Sequence, residues 1–299
     1  MIYTITFSPS IDYSVYLDNL EKGKINRTRK EIYTPGGKGI NVSIVLSRLG
    51  VKSVATGFVG GFTGKYIEQE LNSIGVANDF VEVDGITRIN VKINASEETA
   101  INGNGIKISK DDLGELIEKI SDCDSEDIVV ISGSLPKFEY KNSFELLLSE
   151  LEKRNTKIII DTTGKTLLES LKYHPFLVKP NKEELEEVIG YKIKTNEDLL
   201  NASNKLLELG ALNVIVSLGK DGAYMIGKNL KPIYTRPYNG NAYDSVGAGD
   251  SLVAGFIYEY LKTKDYTKAL KVGVNIGAAT VYSIGLASDE EIKKALENV

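Results

Sequence analysis

The sequence predicts an α/β protein: a mostly parallel central sheet flanked by helices, with a small antiparallel β lid. Three observations predict it. Short apolar runs alternate with amphipathic stretches over most of the chain. Near residue 250 the pattern turns purely helical. Two segments, 12–34 and 80–107, break the alternation with polar–apolar zigzags rich in Thr, Val, Ile and Asn.

Each element has its own reason. The runs at 2–7, 53–59, 127–132, 157–161, 176–179 and 213–217 are short and apolar, as strands buried on both faces must be. The stretches at 40–49, 64–74, 111–120, 143–153, 182–189 and 197–209 repeat apolar residues at helical spacing. Strand–helix alternation of this kind builds a parallel sheet covered on both sides. Segments 252–261, 266–282 and 289–297 read as packed helices. Arg88-Ile89-Asn90-Val91-Lys92-Ile93 has period two and is too polar for a central strand, so it belongs to the lid. An exposed lid edge needs cover, from substrate closure or from a second subunit. No linker or repeat divides the 299 residues, which predicts one domain over 1–299 with its lid at about 12–34 and 80–107.

Composition excludes several classes. The net charge of -5 implies no broad basic face, so nucleic acid is not an expected partner. Cys123 is the only cysteine, so no internal disulfide forms and a reducing cytoplasm is expected. The N-terminus has no basic n-region, and no apolar run approaches about 18 residues, so neither a signal peptide nor a membrane partner is expected. His174 is the only histidine, which rules out His/Cys metal clusters and argues against Ser-His-Asp catalysis. It is expected to be structural or solvent-facing. Cys123 sits between Asp122 and Asp124, whose charges raise a thiol pKa, so it is expected to be inert.

Val246-Gly247-Ala248-Gly249-Asp250-Ser251 carries the clearest chemistry. A glycine-rich turn feeds a helix whose first N–H groups have no partner, which suits a phosphate. Asp250 could meet an incoming hydroxyl there as a base, ionised at pH 7 near its ordinary pKa of about 3.9. A plain glycine turn with an Asp cap is the alternative. Gly36-Gly37-Lys38-Gly39-Ile40-Asn41 is either a second ligand loop or a tight strand-to-helix turn. No Walker A loop is present, since Gly64-Lys65-Tyr66 lacks the Ser/Thr and Gly164-Lys165-Thr166 lacks the leading Gly. Asn181 and Glu184 could cap a helix reciprocally, or stand near Mg2+-bound water. Ser217, Gly219, Lys220 and Gly222 form either a β-turn or a nucleotide loop. Arg27, Lys38 and Arg88 are cations that could converge on a phosphate.

Together these segments resemble the ribokinase/PfkB family of sugar kinases. The matching residues are Ser8 and Asp12, Gly36-Gly37-Lys38-Gly39 with Asn41, Ser132-Gly133-Ser134-Leu135-Pro136, Lys179-Pro180-Asn181 with Glu184, Ser217-Leu218-Gly219 with Gly222, and Gly247-Ala248-Gly249-Asp250-Ser251. They fall in the family's order. The resemblance implies a ribokinase-like fold. It makes Asp250 the base, with Gly247, Ala248 and Gly249 as the anion hole. Asp12, Gly36, Gly37, Lys38 and Asn41 would hold the sugar, and Arg27, Lys38, Arg88 and Ser134 its existing phosphate. Lys179, Asn181 and Glu184 would serve ATP and Mg2+, Glu184 reaching the metal through water. Ser217, Gly219, Lys220, Gly222 and Asn275 would line the nucleotide pocket. A monovalent cation, with Asp244 taking part, and a homodimer through the lid are further expectations.

Thr87 to Ile93 and Gly60-Gly61-Phe62-Thr63-Gly64 are most similar to the branch that phosphorylates fructose 1-phosphate at its 6-hydroxyl. Tagatose 6-phosphate and fructose 6-phosphate are alternative acceptors. Ser8 departs from that branch, which usually has Asn there. A non-catalytic sugar-phosphate sensor is the alternative of a different class. The retained Asp250 argues against it, because binding alone needs no base.

Overall fold

A computed structural model describes residues 1–140 and 142–299. The chain opens with β1 (Ile2–Thr6), β2 (Ser10–Tyr16), β3 (Lys30–Gly36), α1 (Lys38–Arg48), β4 (Val54–Val59) and α2 (Gly61–Ser73). The pairs β5 (Ala77–Asn78) and β6 (Val81–Glu82), then β7 (Arg88–Asn94) and β8 (Glu98–Asn102), lead to β9 (Lys107–Ile108) and α3 (Lys110–Lys119). Next come β10 (Ile128–Ser132), β11 (Lys137–Phe138), α4 (Ser143–Lys153), β12 (Lys157–Asp161), α5 (Gly164–Leu171), β13 (Leu177–Val178) and α6 (Lys182–Ile189). The chain closes with α7 (Asn196–Glu208), β14 (Asn213–Ser217), β15 (Ala223–Gly227), β16 (Leu230–Thr235), α8 (Ala248–Thr263), α9 (Tyr266–Val281) and α10 (Asp289–Glu297).

The main sheet runs β16-β15-β14-β13-β12-β10-β1-β4-β5, with β6 extending β4. From β14 to β5 its neighbours are parallel, and β15 and β16 add an antiparallel edge. Period-two side chains feed two cores. Ile5, Val129, Ile131, Ile158 and Ile160 pack with the leucines of α3–α7 on one face. Ile2, Ile128, Val130 and Ile159 pack with α1, α8, α9 and α10 on the other. Burial on both faces explains the unbroken apolar strands, such as Ile128–Ser132. Sequence periodicity overlooks α5, the two-residue strands β5 and β11, and the β15–β16 hairpin, whose β15 is buried and whose polar β16 sits at the sheet edge.

The lid is the sheet β3-β2-β7-β8. Its two outer pairings, β2–β3 and β7–β8, are antiparallel as expected, while β2 and β7 run parallel where they join. Both of these strands leave the same end of the main sheet, after β1 and after β6, so they point the same way. Along β7, Ile89, Val91 and Ile93 share one face, and Arg88, Asn90 and Lys92 share the other. The register adds Tyr13, Tyr33 and Ile101 to the apolar face, where the two tyrosine rings stack at 4.5 Å. Among the described residues, no helix is long and apolar enough to cross a membrane.

Candidate active site

Parallel strands leave their C-terminal ends as a rim on which loops meet, and that rim is where open α/β sheets place ligands. Here Thr6, Ser132, Asp161, Lys179 and Ser217 stand at those ends around one cleft of about 1440 Å³. A single small-ligand site occupies roughly 300–1000 Å³, so the cleft has room for two reactants.

At its centre, Gly247 caps α8 with φ 79°, and a Cβ there would meet Leu286 at 2.6 Å. Only glycine makes this turn without strain. The N–H of Ala248 donates to Ser245 O at 3.2 Å. The amides of Gly249 and Asp250, in the first helical turn, have no intrahelical acceptor and form the anion-binding end of the helix. Lys179 comes so close that a Cβ on Gly249 would lie 3.1 Å from its Nζ.

Asp250 is 4% exposed, and Asn41 Nδ2 donates to its Oδ2 at 2.8 Å. Burial and then the charge of Asp161 push its pKa up to about 7, against the opposing pull of Asn41, Lys38 and Lys179. This corrects the expectation of an ordinary carboxylate. A base that titrates near the working pH is well matched to accepting a proton.

Asp161 is the residue that sequence reasoning missed. It is 1% exposed, and its Oδ1 takes both Lys38 Nζ, at 3.4 Å, and Lys179 Nζ, at 3.3 Å. It therefore holds two ammonium groups beside the anion turn. Burial works to lower the Lys38 pKa, but Asp161, Asp250 and Glu184 outweigh it, and the net shift is upward. The available signal was the strand Ile158-Ile159-Ile160-Asp161, an apolar run that ends on a carboxylate at the ligand-bearing rim.

One end of the cleft, where the sugar is expected, is built on the lid base. Asp12, Gly37, Lys38, Asn41, Arg88 and Ser134 all line the cleft. Arg88 Nη2 donates to Ser8 O at 2.9 Å, and its buried Nε has no partner among the described residues. Gly36 lies just outside the lining. A Cβ there would meet Asp12 Oδ1 at 2.7 Å, so its role is to make room for that carboxylate. Arg27 is not brought to the cleft. It is exposed in the loop beyond the last β2–β3 pair, Tyr16 with Lys30, roughly 13 Å along the hairpin from Asp12.

At the other end, Lys179, Asn181, Glu184, Ser217, Gly219, Lys220 and Gly222, the residues expected to serve the nucleotide, line the cleft. Asn181 and Glu184 also form the capping box of α6: Glu184 N–H donates to Asn181 Oδ1 at 2.8 Å, and Asn181 N–H to Glu184 Oε2 at 2.7 Å. The cap thus fixes the carboxylate that faces the cleft. Asn275 is placed apart from them. It lies outside the lining, 1% exposed, with its amide donating to Ala295 O at 3.3 Å and Asn298 O at 3.0 Å and accepting from Tyr238 N–H at 3.3 Å. It ties the end of α10 to the loop after β16. The cleft wall there is instead Val274, Ala278, Val281 and Tyr282, with Tyr238 of the Arg236 to Asn239 stretch packed against Tyr282.

The two non-catalytic expectations agree with their surroundings. Cys123 is buried, and burial followed by the Asp127 charge lifts its thiol pKa to about 11. His174 is exposed and meets Glu152 at 2.9 Å.

A buried carboxylate at an anion-binding helix start, flanked by two held ammonium groups in a cleft for two reactants, defines a phosphotransferase acting on a hydroxyl. Comparison with known proteins narrows the class. A model described as pfkB family carbohydrate kinase matches residues 5–293. The chain is 40% identical over 299 residues to a 1-phosphofructokinase of Bacillus subtilis, covering 100% of this chain and 98% of that one. It is 36% identical over 301 residues to a D-tagatose-1-phosphate kinase of Bacillus licheniformis, covering 100% and 97%. A solved structure of phosphofructokinase-2 from Escherichia coli with substrates and products superposes with TM-score 0.91 at 28% identity, covering 99% and 98%. The chain belongs to the pfkB family of carbohydrate kinases.

Proposed function

We propose that the protein transfers the γ-phosphoryl of ATP to the 6-hydroxyl of fructose 1-phosphate, giving ADP and fructose 1,6-bisphosphate. The observation that carries the reading is the pairing of Asp250 with a cationic sugar end. Asp250, Lys38 and Arg88 share one cleft, and the Arg88 Nε is buried without a partner among the described residues. A buried donor left unpaired costs about 1–3 kcal/mol, so this end favours an acceptor that already carries an anion. The full-length likeness to a 1-phosphofructokinase supports the choice of sugar.

Asp250 accepts the 6-hydroxyl proton as the new O–P bond forms, and the bond from phosphorus to the ADP oxygen breaks in line. The amides of Gly249 and Asp250, with Lys38 and Lys179, face the charge that develops on the transferring group. Closure of the lid over the sugar excludes water. Mg2+ would screen the ATP phosphates. Hard oxygen donors fit it: Asp161 Oδ2 is buried with no partner among the described residues, and Glu184 keeps Oε1 outside its cap. Among the described residues no group of three or more acidic, His or Cys ligands forms, so phosphate oxygens and water would complete its shell. Asp244, whose Oδ1 accepts the Val246 N–H at 3.0 Å, is the acidic residue of this turn that a monovalent cation would use. The apolar lid face supports a homodimer.

A second reading is tagatose 1-phosphate, the C4 epimer, favoured by the likeness to a D-tagatose-1-phosphate kinase. A coupled assay of ADP release across fructose 1-phosphate, tagatose 1-phosphate, fructose 6-phosphate, tagatose 6-phosphate and free fructose tests both. Fructose 1-phosphate is expected to give the highest kcat/KM and free fructose a very low one. Comparable turnover of free fructose would overturn the phosphate pocket, and a faster tagatose ester would overturn the choice of sugar.

A further inference from the structure

The lid surrounds the Asp12 carboxylate on three sides. Ser10 Oγ and Asn90 Nδ2 both donate to its Oδ1, at 2.8 Å and 3.0 Å. Lys92 Nζ stands 3.2 Å from its Oδ2. Gly103 N–H donates to Asn90 Oδ1 at 3.3 Å and so fixes which end of the Asn90 amide meets Asp12. The contacts come from β2, β7 and the turn after β8, while Gly36 at the end of β3 leaves the space the carboxylate fills. Asp12 and Asn90 line the cleft; Lys92, one residue pair further along the same face of β7, does not.

A carboxylate has about four acceptor sites. Here Oδ1 takes two donors and Oδ2 takes one, which leaves about one site, on Oδ2, for a ligand. We infer that Lys92, held out of the cleft, is a positioning residue that with Asn90 restricts Asp12 to one hydroxyl direction, and thereby sets which ketohexose-phosphate epimer the site accepts. An acceptor with one open direction bonds a hydroxyl on one side of a ring carbon and misses its epimer. A site built to pair a hydroxyl rejects an analogue that cannot supply it far more strongly than an apolar pocket rejects a change of size. Without Lys92 the Oδ2 gains a second open site, and the discrimination relaxes. The inference rests on Asp12 facing the sugar, as proposed above.

Lys92 is partly exposed, with 28% of its side chain accessible. Ion pairs of that exposure contribute little to stability, so its removal should leave the lid folded. The test uses the full chain with Lys92→Met, Lys92→Arg, Asp12→Asn and the double variant Asp12→Asn/Lys92→Met. Each is assayed with fructose 1-phosphate, tagatose 1-phosphate and ATP. Lys92→Met is expected to reduce the kcat/KM ratio between the two epimers by roughly tenfold, through KM, with kcat and the KM for ATP within about twofold. Lys92→Arg restores the ratio. In the Asp12→Asn background Lys92→Met changes the ratio no further, because two residues acting through one contact are not additive. An unchanged ratio in Lys92→Met, or full additivity with Asp12→Asn, overturns the inference while wild-type activity keeps the functional reading intact. Wild-type protein inert toward every ketohexose phosphate overturns both.

Discussion

Asn41, in the first helix, donates from Nδ2 to Oδ2 of Asp250, in the eighth, at 2.8 Å. The bond holds one oxygen of the proposed base and leaves the other for the hydroxyl. Asp250→Asn keeps the shape and removes the proton acceptor. It should lower kcat by roughly 10²–10⁴-fold with the KM for the phosphosugar within a few-fold, read by steady-state kinetics. Near wild-type kcat would remove Asp250 from the role of base.

The same group sets a pH dependence of stability. Its folded pKa of about 7 lies above the ordinary carboxylate value of 3.8, so between these values the folded state holds a proton that the unfolded chain has lost. Stability from this group is present below about pH 4 and falls as pH rises to about 7. Asp250→Asn should therefore gain Tm over wild type, with the gain larger at pH 8 than at pH 5. A gain that does not grow with pH would contradict the burial cost assigned to this carboxylate.

For activity the sign is reversed, because the base must be deprotonated. The kcat/KM of wild type should rise with pH through a midpoint near 7. Asp161→Asn removes the second-largest cause of the upward shift and should move that midpoint to lower pH, while burial keeps it above the ordinary carboxylate range. A pH–rate profile checks both, and an unmoved midpoint would separate Asp161 from the basicity of Asp250.

The lid predicts an assembly. Ile89 is 39% exposed and Ile101 57%, on the face shared with Val91 and Ile93. Isolated sheet faces and edges of this kind are generally covered. Sedimentation at micromolar concentration should show a dimer for wild type and monomer for Val91→Asp. A fully active wild-type monomer would contradict the covered face.

What the sequence made legible follows from range. The strand ends and the turns that start α1, α6 and α8 are local, and local residues determine them: Gly247 for a positive φ, Asn181 and Glu184 for a reciprocal cap. Asp161 was hidden because its meaning depends on Lys38, 123 residues away, and nothing within its own strand announces that contact. Arg27 shows the converse limit. Its charge suited a phosphate, but charge does not say where a hairpin loop ends. The lid's polar–apolar zigzag was readable, while the parallel β2–β7 join was not, since pairing direction is a property of two distant segments.

Asn275 separates a contact with nucleotide from a contact with the fold. Its side chain makes three hydrogen bonds in the interior, two to carbonyls at the end of α10 and one from the Tyr238 N–H. Truncation removes all three bonds, but Ala295 O keeps the Asn298 N–H and the Asn298 carbonyl is open to water, so the cost is about 1–3 kcal/mol in total. Tyr238 and Tyr282 line the cleft, and the Tyr282 hydroxyl donates to Tyr238 O at 2.7 Å, so this wall has a second tie that does not involve Asn275. Asn275→Ala should therefore lower Tm by several degrees and leave the KM for ATP within about twofold, measured by thermal unfolding and by ATP titration at saturating phosphosugar. A tenfold rise in that KM with Tm unchanged would return Asn275 to the nucleotide pocket.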